Sequence, residues 1–243
     1  MPKPQAKGAK PESAEAGQLP PPLLTDPELP PSRSEDALSA LSPKGLRTRQ
    51  RLLDGARRAF EKSGSYADTR ISDIVEETGC AYGTFYTYFD TKEQLFYELA
   101  VDVANEMYRE NASRARTHGE DLVARIDSGL RQFLHSYREH AAILMIIDQA
   151  AALYPDFRGL RRRIRDVFVE RNVANFERWS EDGWFDPTID PVVAAHALVS
   201  MIDNFSYLWF VLGEPFEEEK ALATLTRLWT NALAVPVSET VAD

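Results

Sequence analysis

A short segment near residue 85 carries aromatic and hydroxyl side chains at a spacing suited to contacting DNA bases. Residues 82–89 read Tyr-Gly-Thr-Phe-Tyr-Thr-Tyr-Phe, in which Phe85 and Phe89 are the strongly apolar anchors of one helical face. Threonine methyls and tyrosine rings can contact thymine methyl groups, hydroxyls can bond base edges or phosphates, and Gly83 permits a close backbone approach to the duplex. The segment predicts a helix that lies in the major groove, although tyrosines can also plug a helix junction.

The residues around this segment predict a helix-turn-helix. Ile71, Ile74 and Val75 form the inner face of a preceding short helix, for which Thr69 is the predicted N-cap. Gly79 supplies a residue that can take a positive φ between the two helices. Lys92 begins the next helix, where it is placed to contact a phosphate together with the N-terminal amides.

This pattern resembles the DNA-binding domain of the TetR family of bacterial transcriptional regulators. The matching positions are Thr69-Arg70, Ile74-Val75, Thr78-Gly79-Cys80-Ala81, Gly83-Thr84, Tyr86-Thr87-Tyr88-Phe89 and Lys92-Glu93. The resemblance implies base-edge contacts by Tyr82, Gly83, Thr84 and Thr87, and DNA-backbone contacts by Thr69, Arg70, Tyr86, Tyr88 and Lys92. Tyr82 stands at the variable position where the helix begins, so we expect it to set the sequence preference.

The segment also departs from the family pattern. Ala81 replaces the usual serine, which removes a side-chain cap worth about 1 kcal/mol. Val75 and Thr78 stand where alanines are common, which bears on how closely the first two helices pack.

Apolar residues recur at spacings of three and four from residue 44 almost to the end of the chain, which predicts an all-α fold class. We predict helices at 44–63, 71–78, 82–89, 92–116, 120–138, 140–152, 156–182, 189–212 and 217–235. The first three make a helix-turn-helix domain over 44–91, and the other six make an effector-binding and dimerisation domain over 92–236. Ten of the fifteen prolines lie in residues 1–43, which predicts a disordered tail there, and 237–243 is a second tail.

Composition and charge exclude several classes of protein. The net charge of −10 argues against indiscriminate binding to nucleic acid, yet residues 44–92 hold nine Lys or Arg against seven Asp or Glu, a local net of +2. The single cysteine, Cys80, and four scattered histidines form neither an internal disulfide nor a zinc cluster. We found no catalytic signature, phosphate-binding glycine loop, signal peptide or membrane span, so we expect no metal, no cofactor and a cytoplasmic location.

A short recognition helix reads few base pairs, so specific binding requires two half-sites presented by a symmetric dimer. The helix at 189–212 carries apolar residues on almost every side, and the helix at 217–235 carries an apolar stripe. That pattern fits a homodimer interface or a central core helix, and the resemblance favours the interface.

The middle helices are rich in aromatic and methionine side chains that could line an effector pocket or form plain core. The candidate ligand-binding residues are Met107, Phe133, Tyr137, Met145, Phe168, Phe176, Trp179, Ser200, Met201, Asn204, Phe205 and Tyr207. Ser200, Asp203, Asn204 and Tyr207 interrupt an apolar helix. Of these, Ser200, Asn204 and Tyr207 lie near one face, where they could orient a mostly apolar ligand or bond one another across a dimer.

Five arginines between residues 158 and 165 form a dense basic cluster. Such runs are usually a solvated face paired with nearby carboxylates, here Asp156 and Asp166. The sharper hypothesis is an anionic ligand such as a lipid or an acyl-coenzyme A.

The sequence thus predicts a ligand-responsive repressor that binds double-stranded operator DNA as a homodimer and is released by a mostly apolar small molecule, without contact with a membrane. The predicted lever between effector and DNA is the helix at 92–116. The alternatives are a DNA-binding regulator controlled by a partner protein, and an all-α enzyme.

Overall fold

The computed structural model describes residues 41–113, 121–184 and 186–233, and all regular structure within these ranges is helical. The described helices are α1 (Pro43–Ser63), α2 (Ile71–Thr78), α3 (Tyr82–Tyr88), α4 (Lys92–Ser113), α5 (Leu122–Leu153), α6 (Pro155–Glu181), α7 (Pro191–Phe210) and α8 (Glu218–Ala232). Within the same ranges, no helix combines the length and the apolar character needed to cross a bilayer. The predicted all-α fold class is confirmed.

The prediction of two helices at 120–138 and 140–152 was wrong, because these residues form the single helix α5. The sequence offers Glu139 and His140 as a polar interruption, but neither residue breaks a helix as Gly or Pro does. His140 is buried with a partner on α1, so the apolar face continues through it. The tails predicted for 1–43 and 237–243 lie outside the described residues, apart from residues 41–43.

The caps and the apolar stripe of α1 follow the sequence. Ser42 is its N-cap and accepts a hydrogen bond from the Gly45 amide at 3.2 Å. Gly64 ends the helix with a φ of 68°. The apolar stripe of α1 is buried along its whole length, at Leu52, Leu53, Ala56, Ala59 and Phe60.

Helices α1 and α2 pack closely because Gly55 of α1 leaves room for the Thr78 side chain of α2. A Cβ built at Gly55 would overlap the Thr78 methyl group. The Thr78 hydroxyl donates to the Val75 carbonyl at 2.9 Å and accepts from the Cys80 amide at 3.2 Å, which fixes the direction of that methyl. Gly55 of α1 therefore accommodates Thr78 of α2, which stands where the family pattern commonly has alanine.

One apolar core joins the helix-turn-helix to α4 and to the adjoining parts of α5 and α6. Tyr66, in the loop after α1, has ring centroids 6.0 Å from Phe60, 4.7 Å from Phe96 and 5.0 Å from Phe157. Because Phe157 lies in the first turn of α6, the start of that helix packs directly against the helix-turn-helix.

A second apolar cluster lies in the remainder of the body. It combines residues of α5 and α6 such as Leu130, Leu134 and Phe176 with Ile202 of α7 and Trp229 of α8. The buried side chains of α7 and α8 therefore stabilise the body rather than the helix-turn-helix.

Polar contacts also link α1 to the body. Arg49 forms an ion pair with the buried Glu98 of α4. Arg57 donates to His140 Nδ1 of α5 at 2.7 Å and to Glu106 of α4 at 3.4 Å. Since a guanidinium can only donate, His140 Nδ1 accepts and the imidazole is neutral. Burial and the adjacent Arg57 charge lower the pKa of His140, which favours the same neutral form.

We expect Gly55→Ala to destabilise the fold by about 1–3 kcal/mol through overpacking, although Gly-to-Ala in a helix otherwise stabilises by about 0.5–1 kcal/mol. In a Thr78→Ser background, which keeps the hydroxyl and removes the methyl, the same change should instead raise the free energy of unfolding. Chemical denaturation of the four proteins measures both effects. A Gly55→Ala protein that is more stable in both backgrounds would show that the methyl is not the obstacle.

His140 should make stability fall on acidification. Its pKa is lowered in the fold, so its contribution is complete above the ordinary pKa of 6.5 and is lost as the pH falls through the lowered value. The charged groups around it are Arg57 and Glu61 on α1, Glu106 and Glu110 on α4, and Glu139 on α5.

We expect the Tm loss between about pH 7.5 and pH 5 to be smaller in His140→Gln, which keeps an acceptor toward Arg57 but does not titrate. His135→Gln is the matched control because His135 is an exposed residue of the same helix. An equal loss in the wild type and in both variants would contradict a role for His140.

Candidate nucleic-acid interface and effector cavity

The turn between α2 and α3 has the geometry of a helix-turn-helix, with one correction to the predicted cap. The N-cap of α2 is Arg70 rather than Thr69, and the Arg70 amide donates to Asp73 Oδ2 at 2.8 Å. Gly79 takes the predicted positive φ, at 64°, and the following Cys80 amide donates to the Val75 carbonyl at 3.2 Å.

Helix α3 is held by one face and exposes the other. Phe85 and Phe89 are fully buried, whereas Tyr82 is 53% exposed and Tyr86 is 46% exposed. The N-cap residue is Ala81, whose methyl side chain cannot form a hydrogen bond. Anchoring therefore comes from the two phenylalanines and leaves the opposite face free.

The exposed face of α3 contains four of the predicted DNA contacts, namely Tyr82, Gly83, Tyr86 and Thr87. The Tyr82 and Tyr86 hydroxyls lie 3.5 Å apart, and this hydrogen bond raises the pKa of Tyr86. A Cβ built at Gly83 would meet nothing within 4 Å, so packing within the protein does not require glycine there. The open space is what a closely approaching ligand would occupy.

Thr69, Thr84 and Tyr88 are less accessible than the resemblance implies. Thr69 is buried, with its hydroxyl donating to the Ser65 carbonyl at 2.8 Å, so its side chain does not reach a phosphate in this conformation. Thr84 is half-buried, and the half-buried Tyr88 packs against the core.

Lys92 fastens the loop between α1 and α2 to the start of α4. Its Nζ donates to the Tyr66 and Thr69 carbonyls at 2.9 Å each and lies 4.3 Å from the centroid of the Tyr66 ring. Burial lowers the pKa of Lys92. The Tyr66 hydroxyl in turn donates to Glu93 at 2.9 Å. The Lys92 ammonium already donates to two carbonyls, so a phosphate would have to accept its remaining hydrogen. In the free protein Lys92 therefore has a structural role.

Most of the basic side chains between residues 44 and 92 have partners inside the protein. Arg51 and Arg58 donate to carbonyls at the end of α2, and Lys62 pairs with Glu77 of that helix. Among the described basic residues from 44 to 92, those that are exposed and form neither an ion pair nor a side-chain hydrogen bond to a carbonyl are Lys44, Arg47 and Arg70. Arg70 was predicted as a phosphate contact, and the other two were missed because basic residues are so frequent along α1.

An apolar cavity of about 30 Å³ lies between α4, α5, α6 and α7. Four predicted ligand residues line it, Met107, Phe133, Tyr137 and Phe168, together with apolar residues that the prediction missed, Leu144, Ile147, Ile164 and Val199. The polar side chains at its wall include Asp148, Arg161 and Asp203. Burial, followed by the charges of Asp203 and Asp148, raises the pKa of Tyr137.

The other eight candidate ligand residues lie elsewhere. Phe176 and Trp179 belong to the second apolar cluster, and Met145 packs against the first. Ser200 and Asn204 are exposed on α7, whereas Met201, Phe205 and Tyr207 are half-buried and do not line the cavity. Helical spacing indicated a mixed surface on α7 but not which residues faced inward.

The arginine cluster of α6 lines an open cleft of about 460 Å³ next to the cavity, which we call the basic cleft. Its arginines are Arg158, Arg161, Arg162 and Arg165. The predicted pairing with Asp156 and Asp166 is not found among the described residues. Arg161 instead forms ion pairs with Asp148 of α5 and Asp203 of α7, and Arg163 pairs with Glu170.

We expect Gly83→Ala to weaken binding to preferred duplexes by about tenfold or more, because a methyl would fill the space of a close backbone approach. Its stability should be unchanged or slightly raised, since nothing within the protein contacts the added atom. Fluorescence anisotropy with labelled duplexes and thermal unfolding measure the two effects.

Gly129→Ala is the matched control, because Gly129 is also exposed on a helix with nothing near its added Cβ. It should leave DNA affinity unchanged. Equal affinities for the wild type and Gly83→Ala would count against a close approach at this position.

Comparison with known proteins agrees with this geometry. The profile of bacterial regulatory proteins of the tetR family matches residues 52–99, which run from α1 through the helix-turn-helix into α4. The solved structure of a TetR-family regulator from Syntrophomonas wolfei superimposes with a TM-score of 0.66 at 22% identity, covering 79% of this chain and 97% of that one. This likeness shows the fold.

The curated relatives are similar in sequence over about two thirds of the chain. The transcriptional repressor AcnR of Corynebacterium glutamicum is 37% identical over 168 residues, which cover 68% of this chain and 84% of the relative. AcnR of Corynebacterium efficiens is 31% identical over the same shares of both chains. The matched proteins are transcriptional regulators rather than enzymes, and the chain belongs to the TetR family of bacterial regulatory proteins.

Proposed function

We propose that the protein is a ligand-responsive repressor that binds a palindromic operator as a homodimer and is released by a small, mostly apolar molecule. The observation that carries this proposal is the exposed polar and aromatic face of α3, anchored from behind by Phe85 and Phe89. A face that contributes nothing to the core but displays Tyr82, Gly83 and Thr87 is suited to base edges. The repressor role is supported by the relatives named AcnR, which are repressors.

The dimer is proposed to form through α7 and α8, within the predicted helices at 189–212 and 217–235. Large apolar side chains are exposed on or beside both helices, including Val192, Val193, Leu212 and Leu228. Burying them against a second copy removes apolar surface from water. A symmetric pair would present two α3 helices to half-sites about 34–36 Å apart.

The effector is proposed to act by opening the apolar cavity. A cavity of about 30 Å³ holds roughly one water, so a larger ligand must separate the surrounding helices. Met107 of α4 is part of its wall, and α4 shares a core with the helix-turn-helix. A ligand that prefers another arrangement of α4 would change operator affinity by its differential binding free energy, about 1–3 kcal/mol.

The small volume of the cavity also favours a second candidate, a regulator that responds to a partner protein rather than to a small molecule. In either case the proposed partner is double-stranded DNA, so we propose a cytoplasmic location and no membrane partner.

Selection of random duplexes by the purified full-length protein tests the proposal. We expect recovery of an inverted repeat and a stoichiometry of two chains per duplex by light scattering. Recovery of no preferred duplex, or of a single half-site bound by a monomer, would contradict it.

Two variants sharpen the selection. Tyr82→Ala should change the recovered sequence, and Leu228→Glu should yield monomers with lower affinity for the full repeat, because it charges an exposed apolar site on α8. Leu153→Glu is the control for the second variant, since Leu153 is also an exposed leucine but lies at the end of α5. An unchanged preference in Tyr82→Ala would overturn its assignment to base reading.

A further inference from the structure

We infer that the basic cleft and the apolar cavity together form one site for an amphipathic anion, a molecule with an acyl chain and a carboxylate or phosphate head. This inference rests on the proposed ligand response and gives the effector a chemical class. The head would lie among the arginines of α6 and the chain would enter the cavity.

The basic cleft carries more positive charge than its surroundings neutralise. Arg158, Arg162 and Arg165 follow one another at spacings of four and three, so they share one face of α6. Within the described ranges none of the three forms an ion pair with a carboxylate, and Arg165 Nε is buried without a hydrogen-bond partner. A cleft with such groups on a protein of net charge −10 selects for an anion.

An ordinary solvated helix face would look different. Carboxylates one turn away on the same helix would pair with the arginines, as Glu170 pairs with Arg163 outside the cleft. Asp156 and Asp166 are also on α6, yet neither forms an ion pair with the cleft arginines in the described structure. The positive charge of these arginines is therefore not neutralised by neighbouring carboxylates, and it faces the open cleft of about 460 Å³.

The cleft and the cavity meet at shared residues. Arg161, Arg165 and Asp203 line both. Arg161 donates to Asp148 of α5 and, at 2.6 Å, to Asp203 of α7, so this ion-pair group closes the boundary between the two spaces. The charges of Asp203 and Asp148 outweigh burial and raise the pKa of Arg161, which keeps its guanidinium charged. An incoming anion would compete with the two aspartates for that guanidinium and so loosen the contacts of α6 with α5 and α7.

The position of the cleft on α6 connects it to DNA binding. Arg158 and Arg161 follow Phe157, whose ring lies 5.0 Å from Tyr66 and 5.1 Å from Phe96, measured between centroids. Tyr66 is held by Lys92 and Glu93 at the start of α4. A shift of the first turns of α6 is therefore transmitted to the helix-turn-helix through packed rings, beside the path along α4.

Binding of defined probes tests the site. The probes are palmitate, palmitoyl-coenzyme A, free coenzyme A and 1-hexadecanol. They are titrated calorimetrically, with the two acyl anions below their micellar concentrations and 1-hexadecanol below its solubility limit. The variant is Arg158→Gln/Arg162→Gln, which changes two exposed side chains that line the cleft. Arg163→Gln is the matched control, because Arg163 lies on the same helix but pairs with Glu170 and does not line the cleft.

We expect at least one acyl anion to bind the wild type about tenfold or more tightly than 1-hexadecanol, and the double variant to lose about tenfold of that affinity. Binding of 1-hexadecanol should be unchanged in the double variant, and Arg163→Gln should behave as the wild type. Loss for palmitate alone identifies a carboxylate head, and loss for palmitoyl-coenzyme A alone identifies the phosphates. Equal affinity for 1-hexadecanol and both anions would overturn the anion site, as would unchanged affinities in the double variant. Free coenzyme A that binds as tightly as palmitoyl-coenzyme A would overturn the role of the acyl chain.

The same preparations are assayed for binding to their selected duplex, which separates this inference from the proposed function. A dimer that binds the duplex but neither binds nor responds to the anions refutes the anion site alone. A protein that binds no duplex refutes the proposed repressor, whereas the probe titrations still decide the cleft.

Discussion

The burial of Phe85 and Phe89 holds α3 in place, and the proposed contact with DNA depends on it. A helix of seven residues is not stable in water by itself, and Ala81 gives this one no side-chain cap. Both rings are removed from solvent completely, so one face supplies the anchoring. The opposite face is not needed to anchor the helix, so it can display tyrosines, threonine and glycine to a partner.

The core that receives these rings also reaches the body of the protein. Tyr66 contacts Phe60 of α1, Phe96 of α4 and Phe157 of α6 through ring edges and faces. Close-packed interiors transmit displacement, so α4 is not the sole connection between the described helix-turn-helix and the body. The start of α6 is a second connection, and it is the helix that carries the arginines of the basic cleft.

Arginine serves two purposes in this protein. On α1, Arg49 and Arg57 contact side chains of the body, and Arg51 donates to a carbonyl at the end of α2. Such contacts stabilise the packing of α1 against its neighbours in the free protein. On α6, Arg158 and Arg162 face an open cleft instead. Composition counts both groups alike, whereas their environments give them different chemistry.

The sequence by itself determined the helical class, the helix-turn-helix and its family, because these depend on local information. Apolar spacing marks the buried stripe of α1, Gly79 marks the turn, and Phe85 with Phe89 marks the inner face of α3. Each of these signals lies within a few residues of the feature that it predicts.

Only the tertiary structure decided which polar groups meet across helices. It showed that the residues predicted as two helices form the single helix α5, in which the buried His140 meets Arg57 of α1. It assigned Arg161 to Asp148 and Asp203 rather than to neighbours in sequence, and it placed Ser200 on an exposed face. These outcomes depend on side chains that are distant in the chain and become neighbours only when whole helices pack, and helical periodicity carries no information about that pairing.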